Sequence, residues 1–356
     1  SRPADAARRA ARVGSSCMGI PVRRTVTACV LATSCLVSAS APLTVLAEPV
    51  PEAARCPAYD RTWQNAGLSG AGASVLNELS GIQASLAHRG VLWSVEDGNN
   101  GPHLFAFNAG GEVIGDFTLS KADVGNLDWE ALGLDRRKGR DQLYIGDIGD
   151  NAHARDGSGQ KVPALYRIAE PKIRAGASGV TRTITRIKKF TFRYYTKAGV
   201  LAPRNAESMF VDPRRHDVIV ITKDLETIGG HANRVRAFRM RVGALHGGRL
   251  NHAKQVATLT AATDGHGVGA VSADIARDGR WIVVKNYGQG FLWHRDPHGP
   301  AWSAFRRHPV APCRVPVDSA EAISFSYTDG GRWNGFWSVT ETGSPPPPLR
   351  HLVGPD

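Results

Sequence analysis

The amino-acid sequence predicts an all-β fold: a β-propeller of five four-stranded blades, closed by strand exchange between the chain termini. Three observations predict it. One layout of short β-rich runs recurs through the chain, with its starts 52, 77, 67 and 47 residues apart, which is the period of propeller blades. Gly, Pro, Asp and Asn separate the runs, as tight turns require. No helical periodicity of useful length competes with these strands. Six blades is the alternative count, because the 77-residue second unit has slack.

Taken in order, the first unit reads ELSGIQAS, VLWSVEDG, HLFAFNAGG, VIGDFTL and opens at Glu78. The second reads EALGLDRR, QLYIGDIGD, ALYRIAEP, IKKFTFRYY from Glu130, and the third ESMFVDPRR, VIVITKD, RVRAFRM, QVATLT from Glu207. The fourth reads DIARDGR, WIVVKNYG, GFLWHRD, AWSAFRR from Asp274, and the fifth EAISFSYTDGG, GFWSVTET, LRHLV from Glu321. The second run of each unit is nearly all apolar, as expected for a strand covered on both faces. The fifth unit lacks a clear outer strand, and CPAYDRTWQNAG, from Cys56, is expected to supply it. That closure removes an open sheet edge. It also brings Cys56 toward Cys313, as a disulfide or as two separate buried thiols.

Residues 1–47 read as an upstream extension and secretory signal, and residues 48–356 as a single propeller domain. Arg23-Arg24 precedes a long apolar run that ends in Val45-Leu46-Ala47, with small residues placed for cleavage. An uncleaved membrane anchor is the alternative, though Pro42 and the many Ser and Thr residues weaken it. The expected location is outside the cell or in its envelope, with no membrane span once the signal is removed. The chain carries a formal charge of +12, of which residues 1–47 hold +5. The remaining excess lies in RIKKFTFR, RVRAFRMR and FRRH, where basic and apolar residues alternate as on the solvated face of outer strands. No nucleic-acid motif is present, so nucleic acid is not an expected partner.

The acids carry the functional argument. In a propeller the first strand of each blade lines the centre. The loop entering that strand and the loop leaving the second strand lie on one face. This pairs Glu78 with Glu96-Asp97, Glu130 with Asp147, Glu207 with Lys223, Asp274 with Lys285-Asn286, and Glu321 with Glu341. The cluster LYIGDIGDN adds Asp150 and Asn151 beside Asp147. Carboxylates a few ångströms apart either raise a pKa or recruit a cation. Oxygen ligands without a Cys or His cluster favour Ca²⁺ or Mg²⁺ over zinc, with Glu130, Asp147, Asp150 and Asn151 as expected ligands and Glu78, Glu96, Glu207, Asp274, Glu321 and Glu341 on the rim. The bland alternative is that these acids accept hydrogen bonds from neighbouring backbone, and that Asp150 and Asn151 form an Asx-type turn. His266, in TDGHGVGAVSAD, is a candidate general base or simply an exposed loop residue. Trp93, Trp129, Trp281, Trp293 and Trp337 read as packing between blades rather than as a sugar platform. SPPPPLR, Ser344–Arg350, reads as a stiff extended spacer.

The stretches LDWEALGL, LYIGDIGDNAHAR, LYRIAEP, AESMFVDP, VSADIARDGRWIVVKNY and AEAISFS resemble a family of exported bacterial β-propeller proteins with WD40- or NHL-like repeats. The likeness spans most of residues 75–340, and DWE with GDIGDN is its most specific part. LWSVEDGNN departs from it, with an acidic pair where related sequences tend to have Asn-Asp. The resemblance implies the fold and leaves the activity open.

Two functions follow as expectations. The first is a monomeric binding module that recognises a protein, glycan or small molecule at the acidic mouth. The second is a Ca²⁺- or Mg²⁺-dependent hydrolase of the lactonase or phosphoesterase type, using the same site. No G-x-S-x-G, H-E-x-x-H, phosphate-binding loop or zinc-spaced cysteines occur, so nucleotide, haem and zinc are not expected.

Overall fold

The repeats fold as antiparallel four-strand meanders. The computed structural model describes residues 63–98, 100–158, 161–260, 268–307, 314–316, 319–341 and 346–354, all within one compact unit, Val50–Asp356. Residues 1–47, Cys56, Cys313, His266 and the first two residues of the Pro-rich SPPPPLR stretch lie outside the described residues, so the signal, disulfide and general-base expectations fall there.

The first unit comprises Leu79–Ala84, Val91–Glu96, His103–Asn108 and Val113–Leu119. The second comprises Trp129–Arg137, Arg140–Asp147, Ala164–Ala169 and Lys188–Thr196. The third comprises Ala206–Val211, Asp217–Thr222, His231–Arg241 and Asn251–Leu259. The fourth comprises Ser272–Ile275, Trp281–Lys285, Gly290–His294 and Arg314–Val315. The fifth comprises Ala322–Tyr327, Trp333–Val339 and Leu349–Val353, with Trp63–Asn65 as its outer strand. Trp63 pairs with Leu352 and Asn65 with Arg350, and the Trp63 indole donates to the Pro316 carbonyl at 2.9 Å.

The first strands of successive units pack against one another, and the fifth returns to the first, so the inner strands form a closed ring. The fold is all-β and propeller-like. Second strands such as Asp217–Thr222 are buried along their whole length, as their apolar sequences require of a strand covered on both faces. Outer strands alternate, as in Lys188–Thr196, where Phe190, Phe192 and Tyr194 are buried between more exposed Lys188, Lys189, Thr191 and Arg193. The apolar half of that pattern supplies inter-unit core; the basic half faces out.

The long second unit has two extra strands. Val180–Ile184 joins the first unit's outer strand in parallel, and Gly199–Leu201 pairs back on Lys188–Thr196. The outer strands of units two and three also pair in parallel, Arg193 opposite His252 and Tyr195 opposite Lys254.

One expected strand is absent. AWSAFRR forms a 3₁₀ helix, Ala301–Arg306, and the fourth unit's outer strand is Arg314–Val315 instead. Ala301, Ala304 and Phe305 are its buried residues, a spacing that suits three residues per turn. Phe305 meets Trp293 edge-on at 5.3 Å. The tryptophans serve packing: Trp93 donates to Glu170 at 2.7 Å, and Trp129 donates to the Gly125 carbonyl at 2.9 Å.

Candidate functional site

The site is built by one device used in three units. Where the first strand starts, the ladder slips between Leu79 and Gly81, between Trp129 and Ala131, and between Ala206 and Ser208. Each slip leaves one bulged residue, respectively Ser80, Glu130 and Glu207. A bulge re-aims its side chain and increases local twist. The bulged side chains meet their neighbours: the Ser80 hydroxyl donates to Glu130 Oε2 at 2.5 Å, and Lys223 Nζ donates to Glu207 Oε1.

Glu130 is the centre of the acidic group. It is 3% exposed. Oε2 is taken by Ser80, whereas Oε1 is buried and has no hydrogen-bond partner. One oxygen each from Glu130, Asp97 and Asp128 lies within 4.8 Å of the others. Gly149 makes the space: a Cβ there would stand 2.5 Å from Asp128 Oδ2 and as close to Glu130 Oε1. Burial, then Glu207 and Asp128, push the Glu130 carboxyl well above its usual range. Burial also raises Asp128, against the pull of Arg155. Asp97 is pushed up to about 8 by burial, then by Glu341, Glu78 and Asp128. Three oxygens this close, each costly to ionise alone, are a set that a divalent cation would stabilise.

The remaining expected residues divide. Asp147 and Asp150 do not join this group. Asp147 Oδ1 accepts from Arg155 Nη2 at 2.5 Å and from the Asp128 backbone at 3.1 Å, and Asp150 Oδ1 accepts from the Arg155 backbone at 2.9 Å. Arg155 is buried and also binds the carbonyls of Gly149 and Val162. The acids of GDIGDN therefore fasten the loop that carries Gly149. Asn151 accepts from Asn205 at 2.6 Å and reaches Glu207 at 3.5 Å, on the third unit's side.

On that side Lys223 also donates to Tyr287 at 3.1 Å, and Tyr287 donates to Glu321 at 3.0 Å. Burial works against the Lys223 ammonium, but Glu207 outweighs it and holds the group charged. Burial, then Glu321, push Glu341 up to about 7, and Glu341 hydrogen-bonds Asp97. Glu96 accepts from the backbones of Asn77 and Glu78 at 3.0 and 3.4 Å, and Glu78 accepts from Asn100. These two are turn fasteners.

Asp274 departs from its expected place. Ser272, not Asp274, faces Lys285; Asp274 faces Val283, two residues further along the strand. Its carboxylate accepts from Ser324 at 2.9 Å and from the Phe325 backbone at 2.8 Å. It ties the fourth unit to the fifth and is not on the rim. The fourth unit has no bulge to bring its acid forward.

Asp128 was legible in the sequence only as the first letter of DWE, and Asp97 only as the second acid of Glu96-Asp97. No protein-family model matches the chain, and no curated protein does. Among solved structures, the chain is similar to Kuenenia stuttgartiensis hydrazine synthase, with 12% identity over 74% of this chain and 68% of that one, at a TM-score of 0.37. It is also similar to the Dos1 propeller, with 12% identity over 78% of this chain and 60% of that one, at a TM-score of 0.34.

Proposed function

We propose that the chain is an exported five-bladed propeller, closed by its N-terminal strand, that acts as a binding module with a divalent cation at its acidic mouth. The cation is Ca²⁺ or Mg²⁺, held by Asp97, Asp128 and Glu130, and an external ligand completes its coordination there. One observation carries this reading: a buried carboxylate oxygen, Glu130 Oε1, has no partner and shares its space with two further carboxylates. A buried polar atom without a partner costs about 1–3 kcal/mol, more when charged, and a bound cation removes that cost. The ring of inner strands and the use of the second unit's excess residues at sheet edges support five blades over six.

The test is a thermal melt of the metal-stripped full chain with and without millimolar Ca²⁺ or Mg²⁺. A ligand bound only to the folded state stabilises by about 2.7 kcal/mol at a hundredfold excess over its dissociation constant. A midpoint rise of several degrees is expected. It is expected to vanish in Glu130→Gln and Asp128→Asn, which remove the charge and keep the shape. Unchanged midpoints in the wild-type chain with both ions would sink the proposal.

A further inference from the structure

The third unit carries a second feature, of opposite sign. Between Glu226 and Asp264 the sequence has no acidic residue and six arginines or lysines. The segment forms the unit's two outer strands and their connection. His231–Arg241 and Asn251–Leu259 pair with Arg239 opposite Lys254. Asp217, which starts the second strand, faces Arg241. The connection therefore lies at the end of the unit away from Glu207 and Lys223.

That end holds a groove of about 450 Å³, within the roughly 300–1,000 Å³ of small-molecule sites. Arg239, Arg241, Arg249 and Lys254 line it, and no carboxylate does. Among the described residues Asp217 lies 3.9 Å from Arg239 and also feels the charge of Arg241, and Arg249 and Lys254 make no ion pair. Like charges gathered round a concavity repel one another, which a solvated convex face avoids. The groove also has an apolar part, with Met240, Leu245 and Leu250. Leu250 is 39% exposed, one of few large hydrophobic side chains so exposed among the described residues.

The wall is fixed in advance. Asn251 is 8% exposed. Its amide donates to the carbonyls of His246 and Arg249 at 3.1 Å and of Thr191 at 2.9 Å, and accepts from the His246 backbone at 2.9 Å. It pins residues 246–250, and with them Arg249 and Leu250, against the second unit's outer strand. Preorganised walls reduce the entropy lost on binding.

We infer that this groove binds a small amphiphilic organic anion, its phosphate or carboxylate head among the arginines and its apolar body against Leu245 and Leu250. Guanidinium forks match both heads in bidentate geometry. The site is separate from the acidic rim and does not depend on the cation reading.

The test is calorimetric titration of the full chain at about 0.15 M salt with octyl phosphate, octanoate and inorganic phosphate, each below any micellar concentration. Octyl phosphate or octanoate is expected to bind at least about tenfold more tightly than inorganic phosphate, a difference of about 1.4 kcal/mol. The preferred of the two identifies the head group. The double variant Arg249→Glu with Lys254→Glu, both exposed positions that face no carboxylate across the ladder, is expected to lose this binding while its melting midpoint and its response to Ca²⁺ stay unchanged. Equal binding of octyl phosphate, octanoate and inorganic phosphate, no binding at millimolar concentration, or binding that survives the double charge reversal would each overturn the inference.

Discussion

Arg155 shows how a single side chain decides what its neighbours can do. It sits 5% exposed between Asp147, Gly149 and Val162, so the acids of GDIGDN spend their lone pairs on it and on nearby backbone. The cluster looked like a ligand set because carboxylate density is visible in sequence, while the arginine that claims it lies four residues past Asn151 in a run of unremarkable composition. Removing one partner of a buried ion pair leaves an uncompensated charge, at a cost of about 3–5 kcal/mol. Arg155→Met is therefore expected to destabilise the chain by that amount in chemical denaturation, through Asp147. The double variant with Asp147→Leu is expected to recover much of the loss. If the single variant unfolds within about 1 kcal/mol of the parent, Asp147 is free and its exclusion from the proposed cation site is mistaken.

At the scale of strands, the repeat was legible because blade strands leave two marks: all-apolar second runs, and turn residues at steady intervals. The candidate site was legible only in part. Glu130 was identified, since it opens its unit. Asp97 was read only beside Glu78, and Asp128 not as a ligand, because what brings Glu130 to them is a one-residue slip in the ladder, and a bulge has no signature in composition or period. The fourth unit makes the same point from the other side: its Asp274 matches the acid pattern, yet without a bulge it stays in the wall and bonds to Ser324 and Phe325. AWSAFRR was misread because a run of small and aromatic residues fits a strand and a 3₁₀ turn equally well.

The outermost strand of the fifth unit comes from the other end of the described chain, and it has only three residues, Trp63–Asn65. Without it the backbone of Leu349–Val353 is an open edge, which templates association. A chain beginning at Ala66 is expected to melt lower and to form soluble oligomers or aggregates at concentrations where the full chain does not, measured by light scattering. A monomeric truncated chain with an unchanged midpoint would show that this strand does not seal the ring.

Across the whole molecule the acidic cluster and the basic groove are opposite in sign, and the cluster ties stability to pH. Asp97 and Glu341 are pushed up to about 8 and about 7 by burial and by each other's neighbourhood. A carboxyl whose folded pKa exceeds its unfolded one binds its proton more tightly in the folded state. Its contribution is present in full below the ordinary carboxylate range, and is lost as pH rises through the folded value. These groups should therefore make the cation-free chain less stable as pH climbs from about 5 to about 8. A cation at Asp97, Asp128 and Glu130 takes the place of the proton, so binding releases protons and tightens over the same interval. The gap between melting midpoints with and without millimolar Ca²⁺ is expected to widen steadily from about pH 6 to pH 8. It should collapse in Glu130→Gln. A gap that is constant across this range would mean that the cation and the proton do not compete for the same oxygens, and would place any metal elsewhere than at the Glu130 cluster.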